Sequence, residues 1–266
     1  MTMTFKTGLL ATATALALGA APVWAVSISV QEFDATSFGF IEGLGTFNGE
    51  DFENLGPGGG ATVEGQVGFQ GSPLSTAVGN FETVGGTGGG GTVTGSGFPN
   101  DGTGLALRDG TVFGRSNKIP TTGSWFLDSN DTHGIEWDVS LGGASFDAIF
   151  FTLTDGSDQG AFLRIDAGGG NTFEQRVGGK LPDGNSSIVV IEFSSAVTAA
   201  DIDFFNFESD GVTFRKDDGF SLDGMRVGIG GPGFGAPPAP VPLPASGLLL
   251  IGALGAVALR ARKARG

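Results

Sequence analysis

The sequence has no cysteine, no tyrosine and one histidine, and only fourteen of its 266 residues are lysine or arginine. Without cysteine there is no disulfide, no thiol nucleophile and no thiolate metal site, so a folded body must rely on its core or on bound ions. The lone His133 would have to be the base of any serine–histidine triad, but no GxSxG elbow accompanies it, and its place after Asp128–Asp131 reads as a turn or strand start. The basic residues are also misplaced for a polyanion partner. Lys6 lies near the N-terminus and Arg260, Arg262, Lys263 and Arg265 lie in the last seven residues, whereas all 28 acids fall between Glu32 and Asp223. The stretch between the two ends keeps nine cations against 28 anions, a net charge of −19 that repels nucleic acid and anionic lipid.

The two ends read as targeting segments. At the N-terminus Lys6 precedes an uncharged apolar run from Gly8 to Ala21, followed by Pro22 and Val23-Trp24-Ala25. A basic start, a short apolar stretch and small residues at the peptidase positions predict a signal peptide over 1–25, cut after Ala25. The chain is therefore expected to be exported.

Between the ends, 50 glycines lie in clusters such as 56–60, 85–91 and 168–170 without a collagen period, separating short runs rich in Phe, Val, Ile and Thr. In the run 133–140, Ile135, Trp137 and Val139 alternate with Glu136, Asp138 and Ser140. Leu163 and Ile165 alternate with Arg164 and Asp166, and Met225, Val227 and Ile229 flank Arg226 in the same way. A period of two with one polar face marks half-buried strands. The more continuously apolar runs Phe146–Leu153 and Ile188–Phe193 read as central strands. No convincing amphipathic helix is visible. Ten or more short strands predict an all-β fold, a jelly-roll-like β-sandwich over 26–229 with a Phe-filled core. Residues 230–242, rich in Gly and Pro, read as an extended linker.

Chemistry in this body is sparse. Gly86–Gly91 matches GxGxxG but lacks the strand and helix a phosphate cradle needs. Paired carboxylates for glycoside hydrolysis have too many candidates among 28 acids to point anywhere. A sharper pattern lies in two Gly-bearing loops. Asp155 and Asp158 follow the most apolar run, and Asp217 and Asp218 precede the strand ending at Asp223. Carboxylates so grouped suit Ca²⁺, which takes six to eight oxygens from a flexible shell, and Asp and Gly are equally the ordinary residues of turns. The stretch Asp218–Gly224 weakly resembles the last strand of calcium-stabilised jelly-roll modules, many of which bind carbohydrate.

The C-terminal segment 241–266 has three parts: Val241-Pro242-Leu243-Pro244-Ala245, an apolar stretch over 247–259, and the cluster Arg260, Arg262, Lys263, Arg265. Thirteen residues make a helix of about 20 Å, short of a hydrocarbon core of about 30 Å, and Leu243–Ser246 can lengthen it. The cations would stop transfer on the cytoplasmic side and leave the acidic body outside, the orientation the signal peptide also demands. This arrangement resembles the PEP-CTERM sorting signal of Gram-negative bacteria, in its VPLPA variant. The resemblance covers the tail alone. It implies a membrane helix and an exosortase, a membrane transpeptidase-like protease that would cut near the motif and pass the body to an envelope or extracellular acceptor such as a polysaccharide. Two alternatives stand beside it: a sortase signal of the LPXTG type at Leu243–Gly247, and a single-span anchor that is never cut. The expectation is a non-enzymatic protein of the cell surface or extracellular matrix. The alternative is a carbohydrate-binding module.

Overall fold

The computed structural model describes residues 26–55, 67–69, 73–83, 105–129, 132–158, 162–168, 171–174, 181–215 and 218–234. The segments read above as a signal peptide (1–25) and as a sorting signal (241–266) lie outside them. The fold is all-β, with antiparallel sheets and one short helix. In chain order the elements are β1 (Val26–Glu32), α1 (Ala35–Glu42), β2 (Gly45–Glu50), β3 (Val67–Phe69), β4 (Leu74–Thr76), β5 (Gly79–Thr83), β6 (Leu105–Asp109), β7 (Thr111–Val112) and β8 (Arg115–Ser116). They continue with β9 (Trp125–Asp128), β10 (Gly134–Ser140), β11 (Phe146–Thr154), β12 (Phe162–Asp166), β13 (Thr172–Glu174), β14 (Ser186–Val197), β15 (Ala199–Phe207) and β16 (Ser221–Gly230).

One sheet runs β1-β14-β11-β16-β9-β6-β3, and β2 also joins β16. The division follows from position: Met225–Gly230 pairs with β2, whereas Ser221 and Leu222 pair with β9. The second sheet runs β13-β12-β15-β10-β5-β4, and β7 and β8 form a separate ribbon. As the alternation requires, Ile135, Trp137 and Val139 of β10 are buried while Glu136, Asp138 and Ser140 are exposed. Leu163 and Ile165 are likewise buried between half-exposed neighbours. The apolar strands β11 and β14 are central, β11 lying between β14 and β16 and β14 between β1 and β11.

The two sheets share one core. Phe151 of the first sheet meets Trp137 and Phe204 of the second edge-on, with ring centroids at 6.0 and 5.4 Å. Trp137 also stacks on Phe81 at 5.2 Å and donates its indole N–H to the Val78 carbonyl at 3.2 Å, so its one polar atom is satisfied at full burial. Met225 and Val227 are buried here, but Ile229, one step further along β16, is 43% exposed. The inward row of β16 therefore ends at Val227 rather than at Ile229.

Helix α1 is one short helix that no periodicity in the sequence announced. Asp34 caps it, its carboxylate accepting the Ser37 N–H at 2.8 Å, and Phe38 seals its buried side. The helix lies over the outer face of the first sheet, where Phe38, Phe150, Ile188, Val190 and Phe234 form a second, smaller cluster. Phe234 belongs to the Gly/Pro-rich stretch after β16, and the Gly231 N–H donates to the Leu44 carbonyl at 2.6 Å. The first residues after β16 thus pack on the body.

Candidate metal centre

Strands β11 and β14 pair so that Thr154 lies opposite Ser186. That register places the loop leaving β11 beside the loop entering β14, although β12 and β13 intervene in sequence. The two loops are stitched together. The Asp155 N–H donates to the Asn185 carbonyl at 2.7 Å, the Leu181 N–H to the Ser157 carbonyl at 2.9 Å, and the Asn185 amide to the Gly156 carbonyl at 2.9 Å. Ser157 Oγ accepts the Leu163 N–H at 2.9 Å, which fixes the exit into β12. Asp155 (φ 65°) and Ser157 (φ 63°) both occupy the left-handed region, which is costly for residues with a Cβ and concentrates at functional sites.

The outcome is a group of three carboxylates, Asp155, Asp158 and Asp183, each offering an oxygen within 4.8 Å of the others. Asp155 and Asp158 are buried and Asp183 is exposed, so the group opens to solvent on one side. The ribbon β7–β8 closes another side at Gly114 (φ 86°), where an added Cβ would stand 2.5 Å from Asp155 Oδ1 and 2.7 Å from Asp183 Oδ1. Glycine is needed there both for its backbone angle and for room. Burial pushes the Asp155 carboxyl up to about 7. The Gly184 N–H, donating at 2.7 Å, and the charge of Arg115 oppose that rise, and Asp158 and Asp183 add to it. Converging oxygens on two loops are the donor set of a hard cation such as Ca²⁺. Asp183 also lines a cleft of about 840 Å³ bounded by Val30–Phe33, Phe173 and residues 181–187.

Of the acids singled out in the sequence, Asp155 and Asp158 meet. Asp217 lies outside the described residues. Asp218 is buried but is not a member of this group; its backbone carbonyl accepts the Asn206 amide at 2.6 Å. Asp183 was missed, because Pro182-Asp183-Gly184-Asn185 reads as a turn, which it also is: the Asn185 N–H donates to the Pro182 carbonyl at 3.1 Å.

Asp223, in the strand compared above with calcium-stabilised modules, has a different task. Its Oδ2 accepts the Lys118 N–H at 2.6 Å, the Ile119 N–H at 2.7 Å and the Asn117 amide at 3.1 Å, and its Oδ1 accepts the Gly224 N–H at 2.7 Å. These bonds latch the segment 117–119 onto β16, and burial pushes the carboxyl up to about 8. Nearby, Asp128 pairs in the interior with Arg108 and with Arg115, the latter at 2.8 Å. His133 stacks on Phe214, with centroids 5.0 Å apart and planes 6° apart.

No family model matches the chain, and no curated protein matches it. Among solved structures it is similar to the K1 cleaved adhesin domain of Lys-gingipain from Porphyromonas gingivalis W83, at 14% identity and a TM-score of 0.19, covering 70% of this chain and all of that one. Among the described residues no helix is long and apolar enough to cross a membrane.

Proposed function

We propose that the chain is an exported, non-enzymatic protein of the cell surface or extracellular matrix. A signal peptide ending at Ala25 delivers it, and an exosortase-like protease releases it at Val241–Ala245. The displayed body is a β-sandwich of jelly-roll type whose loops are braced by Ca²⁺ at Asp155, Asp158 and Asp183. The observation that carries this reading is the order of parts at the C-terminus: proline motif, apolar stretch and basic cluster, behind a body that holds every acid in the sequence. An apolar stretch ending in Arg260–Arg265 would fix the tail in the bilayer with the motif at the outer face, within reach of a membrane protease. The carboxylate group adds support for a cation-braced exterior module, since a body without disulfides benefits from a loop clip of another kind.

The test is to replace Pro242 and Pro244 by Ala in the full chain. Each proline costs about 3 kcal/mol in a helix interior, so its loss lets the apolar helix extend through the motif. The uncut, membrane-bound form should accumulate while export continues. Unchanged processing of the variant would overturn the reading. The second reading, a carbohydrate-binding module, is favoured by the outer face of the six-stranded sheet.

A further inference from the structure

The outer face of the second sheet carries acids in register. On β10, Glu136 lies opposite Glu82 of β5 on one side and opposite Asp203 of β15 on the other, and Asp203 lies opposite Asp166 of β12. Four carboxylates therefore form one row across four neighbouring strands, spaced by the strand separation of about 4.8 Å. A second row, parallel to it, runs Asn80, Asp138, Asp201. Like charges placed directly opposite on a sheet destabilise it. Burial and its acidic neighbours push the Asp203 carboxyl up to about 6, and Glu136 is raised by burial and by Asp138, Glu82 and Asp201.

One row further along, the face changes character. Phe205 lies opposite Arg164, and Phe207 follows it on the same side of β15. The Arg164 guanidinium sits 4.4 Å from the Phe207 ring centre, Phe207 stacks on Phe214 at 5.0 Å, and Phe214 stacks on His133 at 5.0 Å. Phe214 is 38% exposed and Val212 beside it 78% exposed. The acid rows are thus bordered by an aromatic wall built from the end of β15 and the chain after it.

A point cation does not explain this face. Among the described residues only the loop group brings three carboxylates within 4.8 Å, and the sheet acids are spread along a line instead. A line of anions matches a line of cations of similar pitch, and carboxylates accept strong charge-assisted hydrogen bonds from ammonium and hydroxyl donors. An aromatic wall offers a surface for the C–H side of a flat ring. We infer that the outer face of the six-stranded sheet, with Glu82, Glu136, Asp203 and Asp166 as its floor and Phe205 and Phe214 at its side, binds an amine-bearing polysaccharide, a hexosamine polymer with free amino groups. The inference rests on the reading of the chain as a displayed exterior module. Its binding test does not involve the tail, so the two fail separately.

The experiment measures binding of the full chain to a fully deacetylated glucosamine hexamer, its fully N-acetylated counterpart, a neutral glucan hexamer and a lysine hexamer. The expected result is binding of the deacetylated hexamer, weakened at least tenfold by raised salt, by acetylation, by Glu136→Gln with Asp203→Asn, and by Phe214→Ala. The doubly neutralised variant removes repulsion, so its melting midpoint should hold or rise while binding falls, which separates lost recognition from lost folding. Equal binding of both hexosamine forms, equal binding of the lysine peptide with no effect of Phe214→Ala, or no binding at all would each overturn the assignment.

Discussion

Adding Ca²⁺ to the chelator-treated full chain at pH 8 is expected to raise its melting midpoint. A ligand that binds only the folded state at a hundred times its dissociation constant adds about 2.7 kcal/mol. For a body of this size about 1 kcal/mol moves the midpoint by roughly 2–4 °C, so the shift should be about 5–10 °C. Proton competition gives the prediction a second edge. Asp155 titrates at about 7, and a carboxylate must be ionised to ligate. At pH 6 it is about one-tenth ionised, so the apparent affinity should fall about tenfold and the shift should shrink by about 1.4 kcal/mol. Asp183→Asn is the informative variant because Asp183 is the exposed member of the group. Without Ca²⁺ it should melt within a degree or two of the parent, as exposed substitutions usually do, and with Ca²⁺ it should lose most of the gain. Differential scanning calorimetry with Ca²⁺, Mg²⁺ and chelator reads all three effects. A midpoint indifferent to Ca²⁺ at pH 8, or the same gain in Asp183→Asn, would refute the site and leave the two loops as turns.

Three further outcomes are expected. In chelator, Asp203, Asp155 and Asp223 titrate near 6, 7 and 8 in the folded chain against 3.8 for an ordinary aspartate, so the native state holds more protons. Their contribution to stability should therefore be fully present below about pH 4 and be lost as pH rises from there to about 8, and a midpoint that climbs over that range in calorimetry would contradict the burial argument. Phe151→Ala should cost about 3–5 kcal/mol in urea unfolding, because the ring is fully buried between Trp137 and Phe204, and a cost below 1 kcal/mol would mean the two sheets do not share this core. Replacing Arg260, Arg262, Lys263 and Arg265 by neutral residues should weaken retention in the membrane before cleavage, read by fractionation, and unchanged retention would show that the cluster does not stop transfer.

The strands around Trp137, Phe150, Ile165, Val190 and Val227 were legible because each carries its own signal. The alternation around Trp137 shows which residues face the core before any partner is known, and the apolar length of Phe146–Leu153 marks a strand covered on both faces. What joins strands was not legible. Asp155 and Asp183 meet only because Thr154 pairs with Ser186, and nothing local announces that register. The row Glu82, Glu136, Asp203, Asp166 depends in the same way on three separate pairings. Helix α1 escaped notice for a different reason. Its eight residues are too few to show a period, and its formation rests on one cap at Asp34 and on Phe38 finding the outer face of the first sheet. Ile229 continued an alternation that the core no longer used, since burial on β16 stops at Val227.

The central claim concerns the fate of the chain, and the C-terminal mass of the protein recovered from outside the cell tests it most directly. The account predicts a polypeptide that begins at Val26 and ends within or next to Val241–Ala245, with the apolar stretch and the Arg cluster removed. An exterior protein that still ends at Gly266 would contradict it.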